Sequence, residues 1–271
     1  MAKRQQLVHS YFRTRSLFWH NLYQATGVFE VIHQERLGAI VNLVEKVTPR
    51  GSRVLDIGCG AGLVSALLAK RGYAVDAADP LPEMIELTRE GATAANLERR
   101  VECLRADIQH LPFSDNSFEV CVAAGVLPWV ESSERAVKEM RRVVKFGRHL
   151  ILTTDNRWGL CWILDPFTNP VLKRFRDQAF GAFRKLDWPT RHLSVEFMSG
   201  TRFRDLLHSN GLRVLEHRTL GFGPFSFFRQ EILSHAVGLR LHQRLQRLAD
   251  SQMPLLRSLG AQHIWLAEKI T

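Results

Sequence analysis

The sequence predicts an α/β protein with a mostly parallel sheet and helices on both of its faces. Two observations carry this expectation. Short apolar runs alternate with helical-period segments between residues 51 and 155, and glycines sit where strands hand over to helices. Val54 to Ile57 is a short apolar run ending in Gly58-Cys59-Gly60-Ala61-Gly62, after which Leu63, Val64, Leu67 and Leu68 recur at helical spacing up to Gly72. That reads as strand, glycine turn, helix. Ala74 to Asp79 is a second strand, and Pro82 opens a helix carrying Met84, Ile85 and Leu87. Val101 to Leu104 and Phe118 to Ala124 are the third and fourth strands. Glu134 to Val144 is a helix stopped by Gly147, and His149 to Thr154 is the fifth strand. Thr201 to Ser209 is a helix, Arg213 to Leu220 a sixth strand and His263 to Glu268 a seventh.

The chain has 271 residues, 45% hydrophobic and 24% charged, which excludes a disordered, collagenous or coiled-coil character. No apolar run is long enough to span a bilayer, and no signal-like stretch follows Met1 to Gln6, so a cytoplasmic location is expected. Cys59, Cys103, Cys121 and Cys161 lack paired spacing, which argues against a metal site or a disulfide framework. The net charge of +10 first suggests a polyanionic partner. Partitioned, it is +4 over residues 1–50, −1 over 51–150 and +7 over 151–271, so the excess lies in the flanks.

The turn Gly58-x-Gly60-x-Gly62, preceded by Asp56, departs from the Gly-x-Gly-x-x-Gly of dinucleotide sites. It resembles the first motif of the class I S-adenosylmethionine-dependent methyltransferases, and four further motifs follow in that family's order. Asp79-Pro80 ends the second strand before Pro82-Glu83-Met84, and Asp107-Ile108 follows the third. Leu111 to Phe118 resembles the link into the fourth strand. Val143 to Leu150 resembles the turn into the fifth, with Phe146 where proline is usual. The resemblance implies a Rossmann-like seven-stranded sheet and S-adenosyl-L-methionine as cofactor. It implies cofactor contacts from Asp56, Gly58, Cys59, Gly60, Gly62, Asp79, Pro80, Met84, Asp107, Ile108 and Ala124, with Asp79 on the ribose hydroxyls and Asp107 on the adenine amino group. Asp76 competes for the ribose role, and Cys59 reads as a small filler. The glycines would let the backbone come close to the ligand.

Within this family the chain is similar to the ubiquinone-biosynthesis methyltransferases, in which a short N-terminal aromatic segment folds over the cofactor. Tyr11, Phe12, Phe18, Trp19 and Tyr23 are the candidates here, Tyr11 and Trp19 foremost. After the fourth strand, Ala123 to Trp129 lacks both the Asp/Asn-Pro-Pro-aromatic signature of base-amine methylation and a Pro-Cys nucleophile. Nucleic acid is therefore disfavoured, and a small, apolar or lipid-like acceptor is expected for O- or C-methylation. His20, Glu131, Asp155 and His192 are the candidate general bases. Two alternatives stand: an RNA (tRNA or rRNA) methyltransferase, and a cofactor-binding interaction protein without turnover.

The expected organisation is a helical cap (1–50), a cofactor core (51–155), a lid insertion (156–199) and a C-terminal part of the core (200–271) interrupted at 221–261. The lid interleaves Trp158, Trp162, Phe167, Phe175, Phe180, Phe183 and Trp188 with Arg157, Lys173, Arg174, Arg176, Arg184, Lys185 and Arg191. The later insertion carries a helix with Val237, Leu241, Leu245 and Leu248 on one face and Arg240, Arg244 and Arg247 beside them. Such a helix suits peripheral contact with the inner membrane face or packing on the core. A homodimer is a further expectation.

Overall fold

The structure is a computed structural model that describes residues 2–15, 18, 22, 25–172 and 198–270. Helices α1 (Ala2–Thr14) and α2 (Val28–Val47) precede β1 (Arg53–Ile57), α3 (Leu63–Lys70), β2 (Ala74–Asp79), α4 (Pro82–Ala94), β3 (Val101–Arg105) and β4 (Phe118–Ala123). Then follow α5 (Ser133–Val143), β5 (Val144–Asp155), α6 (Leu160–Leu164), α7 (Gly200–Ser209) and β6 (Leu212–Leu220). A hairpin of β7 (Ser226–Phe227) and β8 (Gln230–Glu231), helix α8 (His235–Asp250) and β9 (Gln262–Lys269) complete the chain.

Seven strands form one sheet in the order β3-β2-β1-β4-β5-β9-β6, and only β9 runs against its neighbours. Both faces are covered, so β1 is buried at every position after Arg53. Leu55, Phe118, Met140 and Trp265 pack on one side of the sheet, and Ile40, Val54, Leu68 and Val122 on the other. The order in which strands are added reverses between the parallel β1 and β4, where crossovers leave to opposite sides and open a crevice at the carboxyl ends of the strands.

Two expectations fail locally. Gly147 does not stop a helix: α5 passes directly into β5 at Val144, and Gly147, at φ +71°, lies inside that strand. Phe118 pairs with Val144 but Val120 pairs with His149, so the intervening residues bulge, and glycine takes the left-handed position in the bulge. On α8 the buried stripe is Gly238, His242, Gln246 and Ala249, while Val237 and Leu248 are exposed. Polar burial wins there because both polar side chains are satisfied. Gln246 accepts the Gly221 N–H at 3.1 Å and donates to the Thr219 carbonyl at 3.1 Å. His242 Nδ1 accepts the Phe222 N–H at 3.1 Å, which leaves the proton on Nε2 to be donated to Glu35 at 3.0 Å.

Between β6 and β9, residues 221–261 form a minor apolar unit with α6, centred on Cys161, Phe222, Phe225, Ala249 and Ala261. Asp165, fully buried, fastens the hairpin to this unit by accepting from the Ser226 hydroxyl at 2.5 Å and the Arg229 N–H at 2.8 Å. Burial raises the Asp165 carboxyl, but these hydrogen bonds bring it below the usual carboxylate range.

Candidate active site

One cavity of about 450 Å³ opens at the crevice and gathers residues from five parts of the chain. The glycine turn after β1 forms its floor. All three glycines have positive φ, but for different surroundings. A Cβ on Gly58 would lie 2.3 Å from Val126, and one on Gly62 would lie 2.6 Å from Thr88. These two glycines serve close packing of protein against protein, and Gly62, unlike the other expected cofactor contacts among the described residues, does not line the cavity. Only at Gly60 does the space beside the backbone stand open within 4 Å. The Gly60 N–H donates to Asp79 Oδ2 at 3.1 Å, and the Leu81 N–H donates to Oδ1 at 2.9 Å.

Asp79 therefore lies at the end of β2 with its carboxylate held in a fixed orientation beside the turn. Burial pushes its carboxyl up to about 6, against the two backbone N–H donors. Asp76 faces elsewhere, clamped by Arg53 through contacts of 2.8 and 2.7 Å, and is outside the cavity. Asp56 is 1% exposed; Oδ2 accepts from Ser65 at 2.6 Å and Oδ1 meets no donor. Burial raises its carboxyl to about 6 as well. Cys59 is buried with its thiol pushed well up, so the filler reading suits it. Pro80, Met84, Asp107, Ile108 and Ala124 also line the cavity.

The opposite wall comes from the flanks. Tyr11 stacks on Trp129 at 5.7 Å and Phe12 meets the same ring edge-on at 5.0 Å, so α1 docks on the turn that follows β4. Helix α2 presents Phe29, Ile32, His33 and Arg36; α6 presents Trp162; and the insertion presents Gly223, Pro224 and Ala261. Asp155, at the end of β5, completes this half. Burial raises its carboxyl, opposed by Arg36 and by the Gln262 amide, which donates to it at 3.3 Å. His33 is kept neutral: burial and Arg36 push it down to about 3, and Nδ1 donates to the Phe29 carbonyl at 2.8 Å. Glu131 is exposed and outside the cavity, the lining of this turn ending one residue earlier at Val130. Trp19, Tyr23, His20, His192 and the lid residues 173–197 lie outside the described residues.

Arg36 is the residue that the motif search misses. It is 8% exposed, and its Nη1 donates over a long 3.4 Å to Gln262 Oε1. It lies against Gly125 after β4, where a Cβ would come within 3.1 Å of the guanidinium. Among the described residues it forms no ion pair, although it lines the cavity together with Asp155, whose carboxyl its charge holds down. The signal was present in the spacing Ile32, Arg36, Ile40, Val44, which sets a charge in the middle of a buried stripe.

Residues 55–152 match the family described as a methyltransferase domain. With the crevice at the strand reversal, the open turn at Gly60 and the fixed carboxylate of Asp79, this stretch is a class I methyltransferase domain whose cofactor is S-adenosylmethionine. Outside that domain the chain is similar to methyltransferases named for quinone biosynthesis. It is 27% identical over 188 residues to the demethylmenaquinone methyltransferase of Lactobacillus johnsonii, covering 64% of this chain and 73% of that one. It is 26% identical over 205 residues to the mitochondrial ubiquinone biosynthesis O-methyltransferase of Rattus norvegicus, covering 72% of this chain and 56% of the relative. The ubiquinone biosynthesis O-methyltransferase of Coxiella burnetii is 31% identical over 113 residues, 42% of this chain and 47% of its own. The chain thus spans about half the length of the O-methyltransferases it matches.

Among solved structures, magnesium protoporphyrin IX methyltransferase from Synechocystis PCC 6803, with bound SAH, superposes with a TM-score of 0.66 at 18% identity, over 98% of this chain and 99% of that one. The [4+2]-cyclase SpnF superposes at 0.56 with 21% identity, over 85% of this chain and 80% of its own.

The residues present fit this cofactor. The donorless Asp56 Oδ1 and the Arg36 guanidinium are opposite charges in one cavity, as the ammonium and carboxylate of a methionine moiety require.

Proposed function

We propose that this chain transfers a methyl group from S-adenosylmethionine to a hydroxyl, or to the ring carbon that a deprotonated hydroxyl activates, on a small apolar, ring-bearing or lipid-like acceptor. The observation that carries this reading is the single cavity in which cofactor carboxylates face an apolar wall of Phe29, Ile32, Trp129, Trp162 and Pro224 with one carboxylate, Asp155, at its edge. Asp79 would hold the ribose hydroxyls, Asp107 the adenine amino group, Asp56 the ammonium and Arg36 the carboxylate. The cofactor supplies an electrophilic methyl group when bound. Asp155 would take the acceptor's hydroxyl proton; burial raises its proton affinity, as suits a base working near neutrality. The aromatic wall would orient the acceptor and exclude water, and rings beside a sulfonium are favourable on electrostatic grounds.

The names of the quinone-biosynthesis relatives support a ring-bearing acceptor. We take residues 1–50, 156–199 and 221–261 as additions to the 51–155 core that shape the acceptor side, with peripheral membrane contact and a homodimer as parts of the same reading. The direct test incubates the protein with S-adenosylmethionine and a panel of hydroxylated quinone precursors. The expected result is a product one methyl heavier, found by mass spectrometry, together with S-adenosylhomocysteine. Methyl transfer to RNA alone, or cofactor binding with no product from any extract, would overturn it; the cyclase on this fold makes the second outcome a real alternative.

A further inference from the structure

The insertion that closes the cavity from inside carries a different chemistry on its outside. At 100° per residue, Arg240, Arg244 and Arg247 lie on the side of α8 opposite the buried Gly238, His242, Gln246 and Ala249, and all three are exposed. None forms an ion pair among the described residues. Arg240 and Arg247 donate only to carbonyls of their own helix. Residues 221–261 contain five arginines against Glu231 and Asp250, and Asp250 is engaged by Arg218.

Exposed apolar side chains precede, flank and follow these arginines along the chain. Phe227, Phe228 and Ile232 stand at the hairpin before α8, Val237 and Leu248 flank its arginines, and Met253 and Leu255 follow its end; Phe228 is 51% exposed and Leu255 77%. The hairpin tip is built at a conformational cost. Its two turn residues, Phe228 and Arg229, both have positive φ, at +49° and +64°, where asparagine and glycine are the residues that fit. Asp165 nonetheless anchors the tip through Ser226 and the Arg229 backbone, so an aromatic pair is presented outward from a fixed support.

We infer that the outer face of residues 226–255 is a docking surface for an anionic lipid bilayer, with the arginines at the headgroups and Phe227, Phe228, Ile232 and Leu255 at the acyl boundary. The partner is chosen by complementarity. A nucleic acid would meet the arginines and leave the apolar residues facing phosphates. A second copy docked through the same face would bring arginine against arginine. A bilayer surface satisfies both sets at once. The inference rests on the lipid-like acceptor of the proposed function for its purpose, since Gly223, Pro224 and Ala261 at the root of the same insertion line the cavity. It is tested without that chemistry.

The full chain is sedimented with phosphatidylcholine vesicles, with and without phosphatidylglycerol, at physiological salt and with no cofactor or acceptor present. Binding to the phosphatidylglycerol vesicles alone is expected. A triple variant, Arg240→Gln, Arg244→Gln and Arg247→Gln, should lose roughly a hundredfold in partitioning, from about a fivefold loss per arginine near such a surface. Phe227→Ser with Phe228→Ser should lose about tenfold. Unchanged thermal unfolding and S-adenosylhomocysteine binding of both variants show that they fold. The inference is overturned if wild type ignores anionic vesicles, or if the triple variant sediments as wild type does. It is also overturned if the arginines instead support self-association or salt-sensitive RNA binding.

Discussion

The two halves of the cavity are built in different ways. Apart from Arg36, the proposed cofactor half comes from one continuous stretch, Asp56 to Asp107, in which backbone N–H groups at strand ends and turns fix Asp79 and Asp107 and the Ser65 hydroxyl holds Asp56. The acceptor half is assembled from α1, α2, the end of β5, α6 and the 221–261 insertion, and side chains hold it together: His242 to Glu35, Asp165 to the hairpin, Tyr11 on Trp129. A site made of local backbone is constrained by spacing and so leaves a readable motif. A site made of distant side chains leaves only isolated residues whose burial is odd for their type.

This division of labour can be broken at defined points. The largest effect is expected from Asp155→Asn, which should lower kcat about a hundredfold or more while S-adenosylhomocysteine affinity, measured by calorimetry, stays within about threefold. Equal loss of both would assign Asp155 to the cofactor half.

Acid should loosen the far edge of the sheet. His217 and His263 on β6 and β9 share a hydrogen bond of 3.0 Å, and His217 stacks on Trp265 at 3.9 Å. Burial pushes His217 down to about 4, with Arg204 and Arg257 adding to it; burial with His217 pushes His263 down to about 3. Both folded values lie below the ordinary value of 6.5, so the neutral pair favours the folded state. That stability is complete above pH 6.5 and is lost as the pH falls toward 4 and 3, because the unfolded chain binds more protons. Denaturant titrations across this window should show stability falling between pH 6.5 and pH 4, a loss removed by replacing both histidines with Gln.

Arg36→Gln should weaken S-adenosylmethionine about thirtyfold, the size of one charge-assisted pair. It should weaken the decarboxylated cofactor hardly at all. Equal loss for both ligands would place Arg36 on the acceptor instead. The smallest effect is expected from His242→Leu, which leaves the Phe222 N–H and Glu35 without their partner. About 2 kcal/mol of stability should be lost, seen in urea unfolding, with cofactor affinity nearly unchanged.

The same comparison shows what the sequence reveals. The strand order up to β5, the glycine turn and the carboxylates at 56, 79 and 107 are legible because each satisfies a local rule of spacing or of strand and helix ends. Gly62 lines up with the motif, yet the protein uses it to pack against Thr88, a difference that spacing cannot express. Glu131 was a candidate by position after a strand, but the cavity lining of that turn ends one residue before it and it is exposed. Arg36 and His33 on α2 and Gln246 on α8 escape the motif search because their importance arises from burial, which depends on what distant segments pack over them. The helix at 235–250 shows this most plainly: of its expected apolar face Leu241 and Leu245 pack on the minor unit and Val237 and Leu248 are exposed, while two satisfied polar residues take buried positions.

The most direct test of this account is calorimetric titration of S-adenosylmethionine into wild type, Asp79→Ala and Asp76→Ala. Both carboxylates lie on β2 three residues apart, but only Asp79 faces the cavity beside Gly60. The account predicts that Asp79→Ala loses affinity about a hundredfold, from two charge-assisted hydrogen bonds, while Asp76→Ala binds as wild type does. Failure of wild type to bind, or equal binding by all three proteins, would contradict it.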